Sequence, residues 1–118
     1  MEAKKYAGQI MITYPASVAD AYLDLYEKTR DTSFLTAASG IALTYRKIQL
    51  DNGTWYLRWW ARDGKPVSEH LCIPPSIILF LDRMKTYKTV EGLDKTINKA
   101  IDWTLKNPVK SFDWHGQF

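Results

Sequence analysis

Residues 43–62 decide the predicted fold; they are LTYRKIQL (43–50), DNG (51–53) and TWYLRWWAR (54–62). Apolar and polar residues alternate on both sides of Asn52-Gly53, which is typical of two β-strands joined by a tight turn. Asn-Gly suits a type I′ turn because both central residues of that turn need a positive φ angle. We therefore predict a long central hairpin over residues 42–62.

The predicted hairpin has an apolar face and a basic aromatic face, because side chains alternate across a strand. The apolar face includes Leu50, Trp55, Ile48 and Leu57. The basic aromatic face combines aromatic rings with cations: Tyr45, Lys47, Tyr56, Arg58, Trp60 and Arg62. Lys47 would lie opposite Arg58, a like-charge pair that costs stability unless a negative group is near. A three-residue turn would shift one strand by one position and exchange the faces of that strand.

The flanking segments predict the remaining elements of an α+β fold. In order, these are a strand over 8–14, a helix from about Val18 to Arg30, the hairpin, a strand over Val67–Ile73, a helix starting at Pro74-Pro75 and a helix from Thr89 to about Lys106. Between the first helix and the hairpin, Gly40 is expected to end a single helical turn. We predict one domain, residues 1–118, with an antiparallel sheet of three to four strands, one N-terminal and two C-terminal helices, and an aromatic-rich tail at 107–118.

The register of the strand at 67–73 has two alternatives. A two-residue turn at Asp63-Gly64 places Glu69 opposite Arg58, which is an attractive ion pair. A three-residue turn places Leu71 opposite Leu57, which is a better apolar match. We favour the second register, which leaves Glu69 on the core side.

Composition places the chain among ordinary globular proteins of one domain, with 118 residues, 46% hydrophobic and 25% charged. Five tryptophans and an aromatic share of 14% are high. The net charge of +3 and pI near 9.0 are compatible with a nucleic-acid partner without being diagnostic of one. The single cysteine, Cys72, excludes an intrachain disulfide. The sequence has neither the apolar core of a signal peptide nor a run that could span a membrane, so we expect a cytoplasmic protein.

Catalysis has little support in the sequence. His70 and Cys72 could supply two metal ligands at most, and nothing completes a site around a Cys72 nucleophile. The six glycines are isolated and form no phosphate loop. Asp20 and Asp24 share one side of a predicted helix and could bind a divalent ion, although we favour solvated surface charge. We expect a non-enzymatic protein that needs no cofactor and no metal.

The basic aromatic face predicts a binding function instead. Single-stranded nucleic acid is held by aromatic platforms that stack bases and by cations that contact phosphates. Two alternatives use the same residues: a helix could cover the face, or the face could be a protein–protein patch, where Trp, Tyr and Arg are enriched. A small regulator or inhibitor of the phage or mobile-element type, acting on a protein partner, is therefore the second hypothesis.

Residues 43–88 resemble the positive-cofactor-four family of transcriptional coactivators. The similarity lies in YLRWW (56–60), DGKP (63–66) and LCIP (71–74), followed by a helix. The family comprises small dimeric single-strand DNA binders with a curved antiparallel sheet followed by a helix. The resemblance implies a sheet face that binds a single strand, with Lys47, Arg58, Trp60 and Arg62 as the contacts. We also expect a homodimer that is joined through strand or helix edges. VSEH (67–70) stands where the family has a basic glycine turn.

The C-terminal aromatic residues form a separate candidate surface. Trp103 lies off the apolar stripe of the last predicted helix, so either the tail or a partner should cover it. Phe112 or Trp114 could fold back onto Trp103, which is the interpretation we favour. Alternatively, the segment from Phe112 to Phe118 is a linear motif for a protein partner.

Overall fold

A computed structural model of the chain describes residues 8–107. These residues form four α-helices and a two-stranded antiparallel sheet, so the α+β class is confirmed, whereas a sheet of three to four strands is not found among them. The elements are β1 (Gln9–Met11), α1 (Tyr14–Thr29), α2 (Thr32–Ile48), β2 (Arg58–Trp60), α3 (Pro75–Lys85) and α4 (Leu93–Lys106). None of the four helices has both the length and the apolar character needed to cross a membrane.

The first half of the predicted hairpin is helical. Helix α2 continues through Gly40 and ends at Ile48, so the prediction of a strand there was wrong, as was the prediction that Gly40 ends a helix. Three buried residues of α2, Ala38, Ala42 and Tyr45, recur at spacings of four and three. This is the period of a helix face. The alternation within residues 43–50 therefore coincides with a helical stripe that begins further upstream.

The start of α2 is fixed by an aspartate cap. The side chain of Asp31 accepts a hydrogen bond from the backbone N–H of Ser33 (3.0 Å) and another from its hydroxyl (2.7 Å). Such a cap satisfies an N–H group that the helix itself leaves without a partner. Only two residues, Arg30 and Asp31, therefore separate α1 from α2.

The Asn52-Gly53 turn is present, but it joins a helix to an extended segment rather than two strands. The Gly53 N–H donates to the carbonyl of Leu50 (2.9 Å), and the Leu50 N–H donates to the carbonyl of Thr54 (2.9 Å). Gly53 has a φ of 108°. The turn signal was correct, and the error lay in the element that precedes it.

This turn also holds α4 in place. A Cβ at position 53 would lie 2.2 Å from the backbone carbonyl oxygen of Lys99, so only glycine allows the turn to approach α4 this closely. The side-chain amide of Gln49 donates both to the carbonyl of Gly53 (2.9 Å) and to that of Thr96 in α4 (2.8 Å). The end of α2, the turn and α4 are therefore joined at one junction.

The sheet has β2 at its centre. In the antiparallel pairing with β1, Ile10 lies opposite Trp59 and Met11 opposite Arg58. On the other side of the β2 segment, two isolated bridges replace the predicted strand over 67–73; they join Tyr56 to Leu71 and Trp59 to Pro66. Residues 57–58 thus face residues 67–70, and this bulge interrupts the ladder.

The favoured register of this third segment was wrong. Leu71 lies opposite Tyr56 and not opposite Leu57, a shift of one residue. Because side chains alternate, the shift turns Leu71 outward, where it is 40% exposed. Glu69 is likewise exposed and does not face the core.

Tyr45 lies at the centre of the core. Its ring packs edge-on against Trp55 (centroids 5.8 Å apart) and Phe80 (6.1 Å). Its hydroxyl donates to the carbonyl of Ile12 and accepts from the N–H of Ala16 (2.8 Å). The Trp55 indole N–H donates to the Tyr45 carbonyl (2.9 Å). Both polar ends of Tyr45 are thus satisfied inside the protein.

A cluster of ion pairs joins α1 to α3. The Arg83 guanidinium lies 2.7 Å from the carboxylate of Asp24, 3.2 Å from Glu27 and 3.4 Å from Asp20. These contacts raise the pKa of Arg83, with the hydrogen bond to Asp24 as the main cause. Asp24 therefore pairs with Arg83 across the helix interface.

The helix boundaries differ from the predicted ones mainly at their starts. Helix α1 begins at Tyr14, and Pro15 lies in its first turn, where a proline has no N–H to leave unpaired. Helix α4 begins at Leu93 instead of at Thr89, and it ends at Lys106 as predicted.

We expect Gly53→Ala to destabilise the protein by about 3 kcal/mol, because the methyl group both strains a positive φ and meets the Lys99 carbonyl. Gly64→Ala is the matched control, since Gly64 has a φ of 67° but no atom within 4 Å of the added methyl. That change should cost about 1 kcal/mol from strain alone. Urea unfolding measures the free energy of unfolding of both variants. An equal decrease in the two variants would show that the turn does not press against α4.

Candidate functional site

The predicted basic aromatic face does not exist as one surface, because two of its members belong to α2. Tyr45 is 1% exposed and is part of the core. Burial raises the pKa of its hydroxyl, which stays protonated. Lys47 is exposed, but on the helix and not on the sheet. The predicted cross-strand pair of Lys47 with Arg58 is therefore absent.

The other four predicted residues remain together. Tyr56, Arg58 and Trp60 alternate along the central segment of the sheet, so their side chains share one face, and all three are half-buried. The Arg62 guanidinium lies over the Trp60 ring, 4.8 Å from its centroid. It also lies 3.9 Å from the Asp63 carboxylate. Arg62 thus already has two partners, which weakens its predicted role as a free phosphate contact.

Two apolar residues that sequence analysis did not select extend this face. Met11 pairs with Arg58 and Leu71 pairs with Tyr56, and residues opposite each other share a face. Met11 is 42% exposed. We call Met11, Tyr56, Arg58, Trp60 and Leu71 the outer sheet face. Alternation along a strand separates Met11 from Ile10, but only the register places it beside Arg58.

A second surface feature is a groove between α2 and the sheet, which the hairpin prediction concealed. It consists of two cavities of about 320 and 210 Å³ that share Ile12, Pro15, Thr44 and Ile48 and therefore adjoin. We call the combined feature the apolar groove. Its lining residues are Ile10, Ile12, Pro15, Ala37, Gly40, Ile41, Thr44, Tyr45, Ile48, Trp59, Trp60, Ala61 and Gly64.

One wall of the apolar groove is a face of α2. Ala37, Ile41, Thr44 and Ile48 recur at spacings of four, three and four, so they form one stripe along the helix. The Thr44 hydroxyl donates to the carbonyl of Gly40 (3.0 Å), so its polar group is satisfied within the helix. The wall therefore presents methyl and methylene groups to the groove.

Gly40 leaves a depression in this wall, because it has no side chain. A Cβ at position 40 would have no atom within 4 Å, so the space in front of it is open. A glycine inside a helix costs about 1 kcal/mol relative to alanine. In α2 this cost coincides with a depression in the surface.

The opposite wall comes from the sheet. Ile10 is 37% exposed, and Trp59 lies opposite it in the β1–β2 register. The Trp59 indole N–H donates to the carbonyl of Tyr56 (2.9 Å) and is therefore satisfied. Both walls are thus apolar surfaces whose polar groups already have partners.

The candidate catalytic groups are separated in the structure. Cys72 is 1% exposed, and burial raises the pKa of its thiol to about 12. His70 is exposed, and its ring lies 3.2 Å from the Ser68 hydroxyl. The two residues that could have supplied metal ligands are thus separated, with Cys72 in the core and His70 on the surface. A thiol that stays protonated at neutral pH is a poor nucleophile.

The two carboxylates that were candidate metal ligands form ion pairs between helices. Asp20 and Asp24, which could have bound a divalent ion, contact Arg83 instead. Within residues 8–107 no group of three or more His, Cys, Asp or Glu side chains is arranged to hold a metal ion.

The aromatic groups near the C-terminus are only partly described. Trp103 is half-buried on α4, and its carbonyl accepts two hydrogen bonds from Asn107. Phe112, Trp114 and Phe118 lie outside the described residues, so their predicted contacts stay predictions.

Comparison with known proteins does not identify a family. No family model, no curated protein and no solved structure matches the chain. The resemblance of residues 43–88 to the positive-cofactor-four family stays a prediction.

The buried thiol and phenol predict a loss of stability at alkaline pH. The pKa of Cys72 is raised from 9.0 to about 12 and that of Tyr45 is raised from 10.0. Their stabilising effect is complete below pH 9 and is lost as the pH rises, because the unfolded groups ionise first. For Cys72 alone, we expect the free energy of unfolding to fall by about 2 kcal/mol by about pH 10.5.

Urea unfolding between about pH 8 and about pH 10.5 measures this loss. The Cys72→Ala variant should be less stable than the wild-type protein at pH 8, but its free energy of unfolding should fall less as the pH rises. The same slope in both proteins would show that the thiol does not titrate differently in the folded state.

Proposed function

We propose that this chain is a non-enzymatic binding domain whose apolar groove receives an amphipathic segment of a protein partner. The observation that carries this proposal is the pair of adjoining apolar cavities between α2 and the sheet. Polar groups on both walls are satisfied internally. Exposed apolar grooves of this kind are characteristic of protein-interaction sites.

The dimensions of the groove suit a helical segment. Its α2 wall runs from Ala37 to Ile48, which at the rise of a helix corresponds to about 16 Å. A partner helix would place apolar residues from about three turns along this wall. The groove is open at its surface, so the segment can enter without a change in the fold.

The charges around the groove favour an acidic partner. Arg46 hydrogen-bonds to the carbonyl of Glu91 beside α4, and Arg58 belongs to the outer sheet face, so neither is counted here. The remaining charged residues of α2 and of the turn after β2 are three cations and one carboxylate: Lys47, Arg62, Lys65 and Asp63. A segment with an apolar face and acidic flanks complements this excess. The occupant that we propose is therefore an acidic amphipathic helix.

The Gly40→Leu substitution tests this proposal by filling the groove. The added side chain meets no atom of the protein at its Cβ, and leucine is a better helix former than glycine, so the variant should fold and melt higher. Acidic amphipathic peptides selected from a display library on the wild-type protein should bind the variant at least about tenfold more weakly, because buried apolar contact is lost. Fluorescence polarisation measures the affinities.

Gly40→Ala is the matched control. It gains most of the helix propensity but adds only one methyl group, so it should keep peptide binding while becoming more stable by about 1 kcal/mol. Failure to select any peptide, or equal binding to Gly40→Leu, would exclude the groove as the docking site. If wild-type protein is a dimer that Gly40→Leu converts to a monomer, the occupant is a second copy of this chain.

A second candidate function is binding of single-stranded nucleic acid on the outer sheet face. The observation that favours it is the alternation of Tyr56, Arg58 and Trp60 on one face of the sheet. Ring, cation and ring in this order suit stacked bases and an adjacent phosphate. Without Tyr45 and Lys47, this face has fewer rings and cations than the sequence suggested, so we rank it second.

The double change Arg58→Ala and Trp60→Ala tests this second candidate. It should weaken binding of a labelled oligo(dT) by about tenfold or more, since a stacked base contributes about 1–3 kcal/mol, and the wild-type affinity should fall steeply with salt. Lys28→Ala is a control that removes a cation from α1. Absence of oligonucleotide binding by the wild-type protein at low salt would eliminate this function.

A further inference from the structure

A second cleft lies where the end of α2 meets the start of α4. It has a volume of about 360 Å³. Its lining residues are Arg46, Gln49, Gly92, Lys95, Thr96 and Lys99, none of which lines the apolar groove. We call it the cation cleft, because three of its six lining residues are positively charged and none carries a carboxylate.

Among the described residues, the two lysines of the cation cleft have no acidic partner, unlike other lysines nearby. Lys95 and Lys99 are four residues apart and therefore share one face of α4. Neither forms an ion pair with any carboxylate of residues 8–107. Two other lysines nearby are paired, Lys85 with Asp94 (2.5 Å) and Lys106 with Asp102 (3.0 Å). Like charges at this spacing oppose helix stability unless an anion lies between them.

The opposite wall of the cleft is held rigidly. The Arg46 guanidinium donates through Nη1 to the carbonyl of Glu91, which leaves its other N–H groups available. A Cβ at Gly92 would lie 3.5 Å from the Arg46 side chain, so the arginine packs closely over this position. The Gln49 amide spans the cleft by donating to Thr96 in α4 (2.8 Å). The arginine and the two lysines therefore converge from two helices whose separation is fixed.

We propose that the cation cleft binds a phosphate group, with Arg46 as the hydrogen-bonding fork and Lys95 and Lys99 as point charges. A guanidinium matches the geometry of a phosphate, and lysine ammonium groups neutralise its charge. Three converging cations suit a ligand with more than one negative charge, such as a diphosphate. This inference does not depend on the apolar groove, since the two sites share no residue.

Inorganic pyrophosphate is the probe, and isothermal titration calorimetry measures its binding. The pair of substitutions Lys95→Gln and Lys99→Gln should weaken binding by about tenfold or more, because two charge-assisted contacts are lost. The variant should remain folded, since it removes a like-charge repulsion, and its melting temperature checks this. Lys28→Gln with Lys65→Gln is the matched control, with the same change in net charge on exposed lysines outside the cleft.

Single-stranded oligo(dT) is the second arm and distinguishes a free phosphate compound from a polynucleotide. If pyrophosphate binds and only the Lys95/Lys99 variant loses it, the ligand is a small phosphate compound. If pyrophosphate does not bind at millimolar concentration but oligo(dT) binding is lost in that variant alone, the phosphate belongs to a polynucleotide. Absence of both interactions, or an equal loss in the control variant, would overturn the proposal.

Discussion

The arrangement of this molecule depends on the buried phenol of Tyr45. Its hydroxyl satisfies the carbonyl of Ile12 and the N–H of Ala16, the two backbone groups at the point where β1 passes into α1. Its own carbonyl receives the indole N–H of Trp55. A buried backbone group without a partner costs about 1–3 kcal/mol, so this one residue offsets several such costs at once. Helix α2 is thereby tied to the N-terminal strand, to the first helix and to the central extended segment.

How much of this could be predicted from the sequence depended on whether a signal was local. The α+β class, the turn at Asn52-Gly53 and the end of α4 at Lys106 follow from short patterns that act within a few residues. The prediction of a hairpin was wrong because residues 43–50 fit both a strand pattern and a helix pattern. Small residues such as Ala38 and Ala42 give a weak hydrophobic signal, although their burial decides the outcome. Tyr45, selected as a surface platform, is instead a buried core residue that contacts Trp55 and Phe80.

The candidate surfaces were harder still to predict, because each one needs residues from several elements. The apolar groove exists only once α2 is recognised as a helix beside the sheet, and it then combines Ile10 with Ile48 and Trp59. The cation cleft combines Arg46 with lysines about fifty residues later in the chain. Of the predicted sheet surface, Tyr56, Arg58 and Trp60 remained together because alternation along one extended segment is a local rule. Both the groove and the cleft have α2 as a wall, so a single misassigned helix concealed both of them.

The contact between Arg83 and α1 has a consequence for how the chain acquires its structure during synthesis. Asp20, Asp24 and Glu27 lie on one stripe of α1 at spacings of four and three, where like charges oppose helix formation. The cation that relieves them follows 56 to 63 residues later. Helix α2, against which α1 packs most extensively, follows it directly, so α1 can pack as soon as α2 has left the ribosome. The charge repulsion along α1 is relieved only later, after about two thirds of the 118 residues have been translated, so this part of its stabilisation is coupled to elongation.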